Sequence, residues 1–235
     1  MIRTVLSLAA ASLAMPAAAA EVQVTSQGPV VELAVTETVK AKPDIADVSA
    51  GVTTQAATAV EAMRANAAAM DRVVQRIRAL GIAPADIQTT GINLGAQYDY
   101  DQQTQRQVFR GYQASNRVSV TLRDVKRTGP VLDALVAAGA TDIGGPSFSI
   151  DDDTAPRAQA RQAAFRKAQA QATEYARWAG YNGVRLLSID EAVNPGRPMP
   201  YAEARAASMD AKSTPVEPGL VGTSVTVSVT FEMTR

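Results

Sequence analysis

Cysteine and histidine are both missing from the 235 residues. Without cysteine the chain forms no disulfide, so packing alone must hold it together. The two absences exclude Ser-His-Asp and Cys-His catalysis, zinc ligation by His or Cys, and haem ligation by either. They also remove the side chain whose unperturbed pKa lies nearest neutrality. Charge of one sign is missing as well. The 23 basic and 23 acidic residues balance, so nothing attracts nucleic acid or an anionic membrane. Beyond the first 20 residues no apolar run reaches the ~20 residues of a spanning helix. Carboxylate, lysine and tyrosine chemistry remain open, but no catalytic pattern is assembled from them. The expectation is a protein that is not an enzyme, with no catalytic residues, no cofactor and no metal.

What is present begins at the N-terminus. Arg3 supplies a positive start, Val5 to Ala14 an apolar core, Pro16 a break, and Ala18-Ala19-Ala20 a small-residue cleavage pattern. Together these read as an export signal over residues 1–20, cut after Ala20. Its apolar run is too short to anchor the chain in a bilayer. Losing Arg3 leaves 22 basic against 23 acidic residues. Residues 21–235 are then long enough for one substantial core and are read as one domain.

Along that domain, Val30 to Val39 and Ile45 to Thr54 alternate as half-buried strands around a Lys42-Pro43-Asp44 turn. Sequence proximity makes them an antiparallel hairpin. Thr58 to Leu80 is a long helix with its inward stripe on Met63, Ala67, Met70, Val74 and Ile77, widened by Val73 and Leu80. Thr58 and Glu61 form a capping box and Gly81 ends the helix. Ile87 to Tyr100 and Val108 to Leu122 are extended segments around a polar tip, Asp101 to Gln107: a long hairpin projecting into solvent. Pro130 to Ala138 is a short helix, Ser147 to Ile150 a short strand, Ala155 to Ala179 a second long helix, and Val184 to Val193 a strand. Residues 194–219 form a long loop, with a short helix around Tyr201 to Ala207. Val225 to Met233 alternates strictly and is the clearest strand. Paired strands and single-striped helices predict an α+β fold: a mainly antiparallel sheet with two long helices and one short helix packed on it.

Several residues invite functional readings beside structural ones. Gly111-Tyr112-Gln113-Ala114-Ser115-Asn116 is either a binding loop with Tyr112 and Asn116 as ligand contacts, or a strand irregularity around a Gly111 bulge. Asp151-Asp152-Asp153 offers carboxylates to a hard cation, but no EF-hand spacing follows. It equally suits a helix N-terminus. Tyr98-Asp99-Tyr100-Asp101 is an acidic aromatic contact surface or the end of a strand entering a solvated tip. The second long helix aligns Phe165, Ala168, Ala172, Tyr175 and Ala179; traced back at ~100° per residue, that face reaches Arg161 and Arg157. Either these two overhang the sheet and snorkel, or they meet acidic residues of another subunit.

An ordered set of segments resembles the SIMPL domain family, whose bacterial members include the periplasmic immunogenic proteins. The set comprises Lys42-Pro43-Asp44-Ile45-Ala46, then Gly81-Ile82 and Asp86-Ile87-Gln88-Thr89. It continues with Tyr98, the Gly111 to Asn116 run, Ala138-Gly139-Ala140 and Phe148. Last come Lys167-Ala168, Ala172, Tyr175-Ala176 and Gly180. Residues 194–219 carry no matching pattern. The resemblance implies an exported, periplasmic protein that forms oligomers, in at least one member a large channel-like ring. It also implies a link to oxidative-stress resistance, although a chain without cysteine has no thiol cycle. The family's mammalian namesake binds a signalling kinase. No catalytic residue is carried over. The leading expectation is therefore a periplasmic, non-enzymatic protein whose partner is itself, through the projecting hairpin and the Ala-rich helix. The alternatives are a module binding a small molecule, peptide or envelope component near Tyr112 or Tyr201, and a carboxylate hydrolase.

Overall fold

The computed structural model describes residues 26–192 and 213–235. The export signal and the helix expected at 201–207 lie outside the described residues, as does most of the 194–219 loop.

The chain runs β1 (Val30–Ala41), β2 (Ile45–Ala56), α1 (Ala59–Ala79), β3 (Ile87–Asp101), β4 (Arg106–Leu122), α2 (Thr128–Ala137), β5 (Asp142–Ser149), α3 (Thr154–Trp178), β6 (Gly183–Ala192) and β7 (Val221–Thr234). The α+β expectation holds, with every strand pair antiparallel. The strands divide between two sheets, ordered β1-β7-β6 and β3-β4-β2-β5.

That division corrects the first hairpin. β1 and β2 do not pair; Lys42-Pro43-Asp44 carries the chain from one sheet into the other. β1 pairs instead with β7, from Val30↔Glu232 to Ala41↔Val221. This register stacks Val31, Leu33 and Val35 beside Phe231, Val229 and Val227, two matching period-2 patterns on one face. Sequence proximity favoured the neighbour, but the buried face favoured the strand with the same alternation.

α3 covers that face with an alanine ladder. Ala160, Ala164, Ala168, Ala172 and Ala176 are all fully buried. The expected stripe holds at Ala168 and Ala172 but not at its ends: Tyr175 and Ala179 are exposed, Ala176 takes their place, and Phe165 is half-buried beside Phe231. With only methyl groups on the ladder, the helix approaches the valines of the sheet closely. Lys167 to Glu37 of β1, at 2.6 Å, and Arg161 to Glu191 of β6 fasten its two sides.

α1 and α2 cover one face of the four-stranded sheet around Val48, Val52, Val73, Ile77, Val118, Val120 and Leu135. Thr58 caps α1 by accepting from the Glu61 N–H at 3.3 Å, as expected. The expected stripe holds at Met70, Val73 and Ile77 and shifts in the first half of the helix: Ala62, Asn66 and Ala69 point inward, while Met63 is only half-buried and Ala67 is exposed. Asn66 is tolerated because its Nδ2 donates to the carbonyls of Val52 (2.8 Å) and Ala114 (3.0 Å), tying the helix to two strands.

The three aspartates after β5 go three ways. Asp151 accepts from Arg123 at 2.6 Å, Asp152 accepts from the Thr154 N–H at 3.0 Å, and Asp153 pairs with Arg157 at 2.7 Å. Asp152, not Asp153, therefore satisfies the helix start. Arg123 also holds Asp86 through two bonds of 3.0 and 2.9 Å, and Asp151 N–H donates to Asp44 at 2.8 Å. This cluster knots the β1–β2 connection to both ends of the β3–β4 hairpin and to the entry of α3. Its carboxylates raise the Arg123 pKa above the usual guanidinium value, Asp86 contributing most. At the opposite end of β1, buried Glu232 accepts the N–H groups of Gln27 and Gly28, each at 2.7 Å, and Arg185 at 2.5 Å.

Candidate assembly surface on the projecting hairpin

The β3–β4 hairpin is where the sequence-derived candidates converge. β2 ends at Ala56 and α1 begins at Ala59, so beyond Tyr112 neither element continues beside the hairpin. Gly111 marks the departure. At φ +139° it forms a bulge against β3, and a Cβ there would lie 2.5 Å from the Ala56 carbonyl oxygen. Only glycine fits such a position.

Beyond the bulge, the face that packs under α1 continues outward without cover. Cross-strand register places Ile92 beside Asn116, Leu94 beside Ala114, Ala96 beside Tyr112, Tyr98 beside Phe109 and Tyr100 beside Gln107 on that one face. Tyr98, Phe109 and Tyr112 stack edge-to-face, with centroids 5.7 and 5.3 Å apart. The stripe is nonetheless open: Ile92 is 57%, Tyr98 56% and Tyr100 63% exposed. The tip is fixed by Asp101, which accepts from the N–H groups of Gln103 and Thr104. Those bonds, Gln103 foremost, lower its pKa. Asp99 and Arg110 pair on the far face at 2.6 Å.

Of the sequence-derived residues, Tyr98, Tyr100, Tyr112 and Asn116 thus share one surface. Asn116 stands at its root, facing α1, with its Oδ1 buried and without a partner. Arg157 and Arg161 stand elsewhere, on the first turns of α3. Arg161 grips Glu191 through two bonds of 2.5 and 2.7 Å. That pairing raises the pKa of Arg161 and lowers that of Glu191. Both arginines find their carboxylates within the chain, and the face under them that meets the sheet is Ala160 and Ala164. Ile92, Leu94 and Phe109 were not singled out by sequence. Their signal was available only in part: Phe109 lies past Tyr112, the last residue paired to β2, while Ile92 and Leu94 are left open because β3 is an edge strand.

The sheet's opposite face is polar. Arg117 is flanked in register by Gly51 on β2 and Gly91 on β3, which opens a groove of about 380 Å³ lined by Thr53, Asn93, Ser115 and Asp142. Arg117 pairs there with Asp142 and donates to Ser49 at 3.1 Å. Among the described residues no group of three or more Asp, Glu, His or Cys is placed to hold a metal ion, and no helix is long and apolar enough to cross a membrane.

Comparison with known proteins places this architecture. The model of the SIMPL family, described as a protein of unknown function (DUF541), matches residues 31–231, from β1 to β7. The 26 kDa periplasmic immunogenic protein of Brucella melitensis is 33% identical over 229 residues, covering 94% of this chain and 92% of that protein. Its Brucella abortus counterpart matches to the same extent. The uncharacterized protein YggE of Escherichia coli is 34% identical over 170 residues, 71% of this chain and 67% of YggE. With its family match spanning both sheets and all three helices, the chain belongs to the SIMPL family.

Proposed function

We propose that this protein is an exported, periplasmic, non-enzymatic unit that assembles with copies of itself through the projecting hairpin. The observation that carries the reading is the exposed stripe of Ile92, Leu94, Tyr98, Tyr100 and Phe109. Contiguous apolar surface of this kind on a soluble chain marks a contact face. The periplasmic site is supported by the names of the Brucella relatives and by the export pattern of residues 1–20. Any contribution to envelope or oxidative-stress resistance would come from the assembly itself, since the chain holds no thiol.

Size-exclusion chromatography with light scattering on residues 21–235 tests the reading. The expected mass is a multiple of the monomer at micromolar concentration; a monomer overturns it. N-terminal sequencing of protein released by osmotic shock is expected to begin at Glu21. A second reading, a module that binds a small polar molecule, is favoured by the Arg117 groove. Native mass spectrometry of the purified protein reads it, as a mass increment lost in Arg117→Ala.

A further inference from the structure

The two sheets have four edge strands: β1, β6, β3 and β5. An open edge presents unpaired N–H and C=O groups, and chains that stay monomeric blunt it with charge, proline, bulges or brevity. Three of these edges are blunted. β1 carries Glu32, Glu37 and Lys40; β6 carries Arg185, Asp190 and Glu191 with a register shift; β5 has 8 residues and contains Pro146. β3 is different. It has 15 residues, and from Ile87 to Tyr98 it holds neither a charge nor a proline. Its one extra residue, Thr90, lies near the start and leaves Gly91 to Tyr98 in regular extension. Among the described residues no strand occupies its outer edge.

We propose that β3 pairs antiparallel with β3 of a second copy of this chain, across a two-fold axis at Asn93. The proposal rests on the self-assembly reading and names the contact. Two arguments select a second copy as the occupant. When a strand pairs with itself, a charge near the axis meets its own image, and like charges placed opposite each other destabilise the pair. The absence of charge from Gly91 to Gly95, the residues that meet their own images or their near neighbours, is what such pairing requires; a foreign peptide would impose no such condition. Further, a two-fold axis normal to the sheet leaves equivalent faces on the same side. The stripe of Ile92, Leu94 and Tyr98 therefore runs on directly into the stripe of the second copy.

The register follows from the side chains. In a two-fold antiparallel pair one residue faces itself. With Asn93 in that place, Ile92 faces the second copy's Leu94, and Gly91 faces Gly95. Moving the axis to Ile92 would set Leu94 against the bulged Thr90. Moving it to Leu94 would set Ile92 against Ala96 and lose the Ile–Leu contact.

The chain has no cysteine, so single cysteines report contact without background. Facing residues in an antiparallel pair lie within the Cα spacing a disulfide accepts. Asn93→Cys, lightly oxidised with copper–phenanthroline, is expected to give a linked dimer about tenfold more readily than Glu32→Cys on β1 or Asp190→Cys on β6. Ile92→Cys mixed with Leu94→Cys should link better than either alone. Light scattering on the reduced variants separates the two readings. If they are oligomeric and positions 91–95 link no better than the controls, the β3 contact is overturned and self-assembly stands. A monomeric mass overturns both.

Discussion

Replacing Asn116 by valine is expected to make the protein more stable, an unusual direction for a change in a packed strand. The Asn116 side chain points toward α1, on the same face of β4 as Ala114 and Val118, and sits opposite Val52 on β2 and Ile92 on β3. Its Oδ1 is buried and accepts no hydrogen bond. An unsatisfied buried acceptor costs about 1–3 kcal/mol. Valine is somewhat larger than asparagine, is β-branched and carries nothing to satisfy, adding about 0.5 kcal/mol of strand preference. Against this stands whatever the amide N–H₂ gains from water at the edge of α1. The net expectation for Asn116→Val is a gain of about 1–2 kcal/mol, with an unchanged denaturant slope in urea unfolding followed by circular dichroism. A lowered midpoint would refute the reasoning, because it would mean that the amide is bonded in the folded chain.

The other expectations concern the parts that hold the two sheets. Asn66→Leu deletes two buried bonds to strand carbonyls and should lower unfolding free energy by about 2–4 kcal/mol; a loss under ~1 kcal/mol would mean the carbonyls need no second donor. Ala168→Leu forces extra methylenes between α3 and the valines beneath it and should cost about 1–3 kcal/mol, with Ala170→Leu, on the solvent face, near neutral. The carboxyl of Glu232 is held below the usual carboxylate range by Arg185 first and the Gln27 N–H next. Because its folded pKa is depressed, it stabilises above the unfolded value, and that contribution fades as pH falls. Glu232→Gln should therefore melt below the parent at pH 7, and the gap should close below about pH 4; a gap constant down to pH 3 would sink the clamp.

Much of the fold was legible where one period dominated. The β3–β4 hairpin, its polar tip, and β7 appear where alternation predicted them, and α1, α2 and α3 begin and end within two residues of expectation. What was not legible depended on partners distant in sequence. Nothing local tells β1 that its mate is β7 and not β2, since both offer alternating faces. The α3 stripe was legible at Ala168 and Ala172 and misplaced toward its ends, where it followed the larger Phe165 and Tyr175. The residues that face the sheet there are alanines, and Tyr175 and Trp178 point outward. Arg161 looked available because Glu191, its partner, is 30 residues away. Within the candidate surface, Tyr98, Tyr100, Tyr112 and Asn116 were visible as residue types. Their shared face was not, because the extra residue at Arg110 shifts the pairing by one and hides that Tyr98 and Tyr112 point together.

The central place of β7 between β1 and β6 sets a timetable for the molecule. The first strand of the folded chain waits for the last, so the three-stranded half has no intermediate version with its middle strand missing. For a chain made N-terminus first, β1 spends the whole of synthesis without its mate. The half containing β2 to β5 holds all its strands about 80 residues earlier and is free to collapse first. Contacts joined over such sequence separation form slowly. A protein built this way suits late closure: its three-stranded half locks only when its final residues arrive.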